Sequence, residues 1–463
     1  MRVLLISTYD LGRQPFGLAS PAAWLREAGA DVECVDTSRT ELEDTQIAAA
    51  TLVAFYLPMH TATRLAAPLI ERTRRVNPSA RMCAYGLYAP LNADWLRERG
   101  VTEIIGPEAE AELVGLVSPK VTSRPTSTGQ PQSAIPDPTL QGLPRLRFIT
   151  PDRVGLPALE RYASLRMPDG SRRVMGSSDA TRGCKHLCRH CPIVPIYQGQ
   201  FRVVPLDVVM EDVRGQVAAG AQHISFADPD FFNGPTHARH LVERVHAEWP
   251  DVSYDVTIKI EHLLKHADML PVLRETGCLF ITSAVEAIDD VVLGHLMKGH
   301  TRADFVAVAG LCRDAGVTLV PTFVPFTPWT TLAGYVELLE ELQALDLVEQ
   351  VAPIQLAIRL LVTSGSPLLE LSDVRAVVAP FDPASLTWPW THRDPAVDAL
   401  QTEVMELVGS ASGAPRGDVF AAISALAREH AGLPSTPGQV TRGTPVPCVS
   451  EPWYCCAEPM DSL

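Results

Sequence analysis

Three cysteines crowd one short stretch: Cys184, Cys188 and Cys191, in the run Ala180-Thr-Arg-Gly-Cys-Lys-His-Leu-Cys-Arg-His-Cys-Pro192. Thiolates spaced C-x3-C-x2-C on one loop can hold a [4Fe–4S] cube by three of its irons. The iron left over can bind a substrate, which an electron-transfer site with four cysteine ligands does not allow. Arg182, Lys185 and Arg189 in the same stretch would moderate the negative charge of cluster and thiolates. Two other readings exist. The thiols could form a zinc site with His186 or His190 as fourth ligand, although zinc sites usually pair C-x2-C knuckles and no second pair lies nearby. Alternatively, two of the three could simply pack in a core.

A second sulfur group closes the sequence, with Cys448 followed by the adjacent Cys455 and Cys456 in a proline-rich context. A disulfide between neighbours is strained. Close thiolates nevertheless chelate soft elements well. As(III), a selenium species or a second iron–sulfur cluster are the guests considered; the plain alternative is a disordered end with incidental thiols. Cys34, Cys83, Cys278 and Cys312 sit in apolar strand or helix patterns and read as packing residues.

The elements that must position these groups alternate strand and helix. Strands are expected at 3–6, 32–35, 52–57, 81–85 and 103–106, with helices between them. That pattern implies a doubly wound parallel sheet, whose ligands sit at the strand carboxyl ends, here residues 8–16, 56–60 and 86–90. Residues 118–142 are rich in Pro, Ser, Thr, Gln and Gly and read as a linker. Strands are then expected at 174–178, 223–227, 254–258, 279–284, 318–323 and 351–358, each followed by a helix except the last. Such βα units make a partial (β/α)6 barrel, whose working residues again lie at the carboxyl ends. The domain reading is therefore 1–116, a linker over 117–147, a barrel over 148–370, a helical region over 371–435 and a Cys-rich tail over 436–463.

The totals agree with a globular α/β chain. Of 463 residues 46% are hydrophobic and 20% charged, and the length suits two or three domains. The net charge of −15 argues against a nucleic-acid surface. No apolar run approaches the ~20 residues that span a bilayer, and no signal peptide is evident. A cytoplasmic protein with no nucleic-acid or membrane partner is expected.

The C-x3-C-x2-C loop at the end of a first barrel strand resembles that of the radical-SAM superfamily, over about residues 172–369. The resemblance implies that the open iron chelates S-adenosylmethionine (SAM) and that one electron enters its sulfonium. A C–S bond then breaks to give a carbon radical, while the protein binds, aims and shields. An electron donor such as flavodoxin or ferredoxin is implied with it. The run His223-Ile-Ser-Phe-Ala-Asp-Pro-Asp-Phe-Phe-Asn233 stands where the family places a second-strand SAM contact. Asp228 or Asp230 is thus expected to accept from the SAM ammonium; a helix cap is the plainer alternative. Glu286, Lys259, Glu261 and Arg359 are further position-based candidates, and residues 320–325 resemble the strand that backs the adenine.

Residues 1–116 resemble the cobalamin-binding domain found upstream of the barrel in one radical-SAM class. They lack its Asp-x-His-x-x-Gly cobalt signature, so bound cobalamin and a vestigial or substrate-shaping domain both remain readings. The ending Cys455-Cys-Ala-Glu-Pro459 resembles that of CUAEP/CCAEP-tail radical-SAM proteins, with Cys456 at the position of their selenocysteine. By analogy with a related paired-cysteine group, it implies transfer of a 3-amino-3-carboxypropyl group to a small-molecule or metalloid acceptor, such as As(III), held by Cys455 and Cys456. A cobalamin-dependent methyltransferase and a non-catalytic redox or metalloid sensor are the alternatives.

Overall fold

Runs of aliphatic and β-branched residues, buried on both faces, build the first sheet. The computed structural model describes residues 1–117, 146–411, 413–434 and 445–451. Cys455, Cys456 and most of the expected linker lie outside the described residues. The chain divides into two units. The first comprises Met1–Tyr162 with the short segments Pro195–Tyr197 and Pro383–Leu386; the second comprises the rest.

In the first unit β1 (Arg2–Ser7), β2 (Asp31–Asp36), β3 (Leu52–Tyr56), β4 (Arg81–Tyr85) and β5 (Glu103–Ile105) lie in the order β2-β1-β3-β4-β5. Every neighbouring pair is parallel. This is the doubly wound order with its switch between β1 and β3. Val3, Leu5, Leu18, Leu25, Leu52 and Tyr85 form its core with Cys34 and Cys83, so those two thiols pack as expected.

In the second unit the strands are β6 (Ser164–Arg166), β7 (Arg172–Ser178), β8 (Thr181–Gly183), β9 (Phe201–Val203), β10 (His223–Phe226), β11 (Ser253–Thr257), β12 (Cys278–Glu286), β13 (Thr318–Phe323) and β14 (Cys448–Val449). The main sheet runs β13-β12-β11-β10-β7-β6-β14, while β8 and β9 pair by themselves. Five strands, β7 and β10 to β13, are mutually parallel, as the sequence pattern implies. β6 and β14 add antiparallel strands at one edge. Helices Leu206–Ala218, Pro235–Glu248, Arg302–Asp314 and Leu332–Ala344 carry the crossovers.

The sixth expected strand does not form. Residues 353–356 make a 3-10 turn instead, and a single parallel bridge, Phe326↔Arg359, continues the ladder beyond it. Pro353 opens that turn, a position that suits its fixed φ and missing N–H. The helical region expected over 371–435 contains the helices Pro395–Ser410 and Arg416–His430. Among the described residues, no helix is long and apolar enough to cross a membrane.

Candidate functional site

The cysteine loop hangs from β8, two residues past the end of β7. Gly183 takes φ +77 there, a backbone state that suits glycine. Cys191 N donates to Cys188 O at 3.0 Å, which turns the loop back on itself. Cys188 is buried and the other two cysteines are half-buried, and none is in a disulfide. Burial pushes the Cys184 thiol up to about 11. His186 and His190, the alternative zinc ligands, each turn Nε2 onto a carboxylate, Asp230 and Glu286 respectively, both at 3.1 Å. The three thiols of the loop are the donor set of a [4Fe–4S] cluster with one iron left open.

The exit of β10 clamps this loop. Asp228 is buried; its Oδ2 accepts from Ala180 N at 3.0 Å and its Oδ1 from Thr181 Oγ1. Burial raises its carboxyl to about 7 despite those bonds. Asn233 accepts from Lys185 N at 3.2 Å and donates to Gly183 O at 3.1 Å. Asp230 Oδ1 accepts from Phe232 N at 3.1 Å, capping the one-turn helix Phe231–Asn233. Its Oδ2 lies 3.1 Å from His186 Nε2 and 2.6 Å from His262 Nδ1. Burial alone would raise Asp230, but the two imidazoles outweigh it and hold the carboxyl low. Both carboxylates therefore have partners within the protein and position the loop. On the opposite side Arg189 N donates to Leu296 O at 2.9 Å and Arg189 Nη1 to His295 O, so its guanidinium is also anchored.

Beside the loop lies a second polar group. Glu286 ends β12 at φ +72, next to a register shift against β13. Its Oε1 meets His190 Nε2 at 3.1 Å and Lys298 Nζ at 3.4 Å. Burial works against its ionisation, yet Lys298 and His190 win and hold it at about 2. Lys259 Nζ, itself buried, faces Glu261 Oε2 at 3.6 Å. Gly299 makes room for that carboxylate, since a Cβ there would stand 2.9 Å from Glu261 Oε2. His300 is buried with both ring nitrogens lacking a hydrogen-bond partner among the described residues. Burial first, then Lys298 and Lys259, bring it down to about 4. An orphaned buried imidazole beside a lysine and two carboxylates suits a ligand that carries both an ammonium and a carboxylate, as SAM does. Sequence reasoning missed His300, because a lone histidine after a Lys-Gly pair carries no signal of its own.

Arg359, a position-based candidate for the site, is engaged by partners from later in the chain. Its Nη1 pairs with Asp398 at 2.6 Å, its Nη2 donates to Trp390 O at 2.6 Å, and the guanidinium stacks 3.6 Å from the Trp390 ring centroid. It ties the region after the sixth segment to helix Pro395–Ser410. Residues 320–322 line a separate cavity of about 470 Å³ with Phe280, Thr282, Gln355 and Cys448.

At the carboxyl rim of the first sheet the protein's own side chains take up space. The Tyr56 ring covers Gly17 so closely that a Cβ there would stand 2.1 Å from it. Tyr56 and Tyr85 pack with ring centroids 5.4 Å apart, and Tyr85 Oη donates to Gly17 O at 2.7 Å. Leu57 and Tyr88 are buried. His60 is the single histidine of residues 1–162. Its Nε2 lies 2.7 Å from Ser385 O, and burial brings it down to about 4. The rim thus offers no ready imidazole to a cobalt ion, which agrees with the missing histidine signature.

Residues 179–342 match the model of the Radical SAM superfamily, a stretch that runs from just before the cysteine loop into the helix Leu332–Ala344. Among curated proteins, the ribosomal protein uS12 methylthiotransferase RimO of Parabacteroides distasonis is 28% identical over 171 residues, 34% of this chain and 38% of the relative. The tRNA-2-methylthio-N(6)-dimethylallyladenosine synthase of Fusobacterium nucleatum is 25% identical over 181 residues, 36% of this chain and 40% of the relative. The chain thus matches less than half the length of either. Among solved structures, the radical S-adenosylmethionine methyltransferase TsrM of Kitasatospora setae, with cobalamin and a [4Fe–4S] cluster bound, matches with TM-score 0.57 and 18% identity. That match covers 74% of this chain and 70% of that one. The cobalamin-dependent S-adenosylmethionine radical enzyme OxsB, with aqua-cobalamin bound, matches with TM-score 0.65 and 13% identity, covering 89% of this chain and 67% of that one. At these identities the two structures speak to the fold, and both units of this chain take part in it.

Proposed function

We propose that this protein is a radical SAM enzyme that cleaves S-adenosylmethionine reductively. The observation that carries the reading is the set of three thiols, Cys184, Cys188 and Cys191, clamped by Asp228, Asp230 and Asn233 inside the matched domain. A [4Fe–4S] cluster held there would supply the electron that breaks a C–S bond of the sulfonium. The residues of the chain then have separate tasks. Lys259 and His300 offer donors to a carboxylate, and Glu261 offers an acceptor to an ammonium. Glu286, balanced by Lys298 and His190, stays charged without a free countercharge that would compete for the ligand. A small reductant protein of the flavodoxin or ferredoxin type is the proposed electron source.

Anaerobic reconstitution with iron and sulfide, reduction in the presence of SAM, and mass spectrometry of the nucleosides test this. Turnover to a cleaved nucleoside that vanishes in Cys188→Ser supports it. Intact SAM in a protein that holds four irons would refute it and favour the sensor reading.

A cobalamin-dependent alkyl transfer is the second reading, favoured by the parallel β2-β1-β3-β4-β5 sheet ahead of the barrel. S-adenosylhomocysteine together with 5′-deoxyadenosine, and a corrinoid spectrum in the purified protein, would support it. Transfer of a 3-amino-3-carboxypropyl group would give methylthioadenosine instead. That finer reading rests on Cys455 and Cys456, which lie outside the described residues.

A further inference from the structure

We propose that His186, Asp230 and His262 form a mononuclear site for a divalent first-row transition-metal cation, separate from the three thiols. His186 comes from the cysteine loop, Asp230 from the exit of β10 and His262 from helix Ile260–Lys265. One ligand atom from each lies within 4.8 Å of the other two. Asp230 Oδ2 stands between the imidazoles, 3.1 Å from His186 Nε2 and 2.6 Å from His262 Nδ1. Two ligands bound to one cation at about 2.1 Å, roughly a right angle apart, lie about 3 Å from each other. Two imidazoles and one carboxylate are a donor set for Fe²⁺ or Zn²⁺ that leaves further positions open.

A second observation points the same way. His262 Nδ1 stands 2.6 Å from Asp230 Oδ2, closer than an ordinary N–H···O bond, and has no other hydrogen-bond partner among the described residues. Both groups are almost fully buried, at 2% exposure for His262 and 0% for Asp230. A buried nitrogen held this close to a buried carboxylate oxygen is how two ligands of one cation stand. The surroundings also suit ligation. Asp230 Oδ1 is fixed by Phe232 N at 3.1 Å, and His186 Nδ1 faces Glu261 Oε2 at 3.7 Å. Ligating imidazoles commonly set their second nitrogen on such a carboxylate. Asp230 and Glu261 bring two negative charges against the one positive charge of Lys259, which favours a divalent guest. The cation would pin the cysteine loop to the helix that carries His262. This holds whether or not the thiols carry a cluster, so iron and the added metal are counted separately.

The test uses full-length protein carrying Cys448→Ser, Cys455→Ser and Cys456→Ser, reconstituted anaerobically, exposed to Zn²⁺ and desalted. Iron and zinc are measured by elemental analysis, and the zinc environment by X-ray absorption fine structure. The expected result is about one zinc per chain, with imidazole and oxygen ligands at about 2.0–2.1 Å and no sulfur shell at about 2.3 Å. His262→Ala should lose that zinc, and His266→Ala, outside the ligand set, should keep it. The proposal is overturned by no bound zinc, by zinc on sulfur alone, or by nitrogen-bound zinc that persists in His262→Ala. If His262→Ala does not fold, the fine structure of the protein with intact histidines decides alone, and a zinc shell without imidazole overturns the assignment.

Discussion

Glu286 and Lys298 are the pair whose disruption should cost most at the site. Glu286 is 4% exposed and Lys298 2%, with 3.4 Å between Oε1 and Nζ. Burial alone would push the carboxyl up, yet Lys298 and His190 hold it at about 2 against an ordinary 4.5. At 1.36 kcal/mol per pH unit the ionised form gains about 3 kcal/mol from folding. Breaking a buried pair from one side independently costs about 3–5 kcal/mol, because a charge is left without its partner. Glu286→Gln and Lys298→Met should therefore each destabilise the protein by about 3 kcal/mol. The double variant should lose much less than the sum, with a coupling of about 2 kcal/mol. The assay is urea unfolding of the three reconstituted variants alongside the unmodified protein, followed by tryptophan fluorescence. Additive losses, within about 0.5 kcal/mol, would refute the reasoning. The sign with pH follows from the depressed carboxyl: its contribution is present above about pH 4.5 and is lost as the pH falls toward 2, and Glu286→Gln should abolish that slope.

Three more outcomes are expected. Asn233→Ala strands the Lys185 N–H and the Gly183 carbonyl at about 1–3 kcal/mol each, so iron retained after desalting should fall while far-ultraviolet circular dichroism stays the same; unchanged iron content would argue against the clamp. Gly86 sits at φ +107, and a Cβ there would stand 2.8 Å from Leu57 O, so Gly86→Ala should destabilise by about 1–3 kcal/mol, read as a lowered melting temperature. His60 is held at about 4 by burial, so its contribution is present above pH 6.5 and fades as the pH falls through 4, a loss of about 3 kcal/mol. His60→Gln should flatten the melting temperature between those pH values, and an unchanged slope would count against the assignment.

The elements were legible where short runs rich in apolar residues are bounded by polar residues and glycine. Residues 81–85 and 318–323 were expected as strands and are β4 and β13 to the residue. The run 351–358 is apolar too, but residues 353–356 turn instead, with Pro353 at the head of that turn. The cysteine loop was legible because its chemistry is set by local spacing. The tasks of the groups around it were not. Asp230 meets His186 and His262, which come from two other segments of the chain, so its surroundings exist only after the strands have assembled. Arg359 looked available because its partners, Asp398 and Trp390, stand more than thirty residues further on.

β14 is two residues long, yet it covers the outer side of β6 with Cys448 opposite Arg166, while Ser450 N donates to Ser164 O at 2.9 Å. Trimming the protein before Pro447 would leave the N–H and C=O groups of β6 facing solvent at an open border. A shortened version made to remove the paired cysteines would then tend to self-associate through that border, so lost turnover in it would report aggregation as readily as chemistry. Exchanging the sulfurs for oxygens while keeping residues 447–450 avoids the confusion.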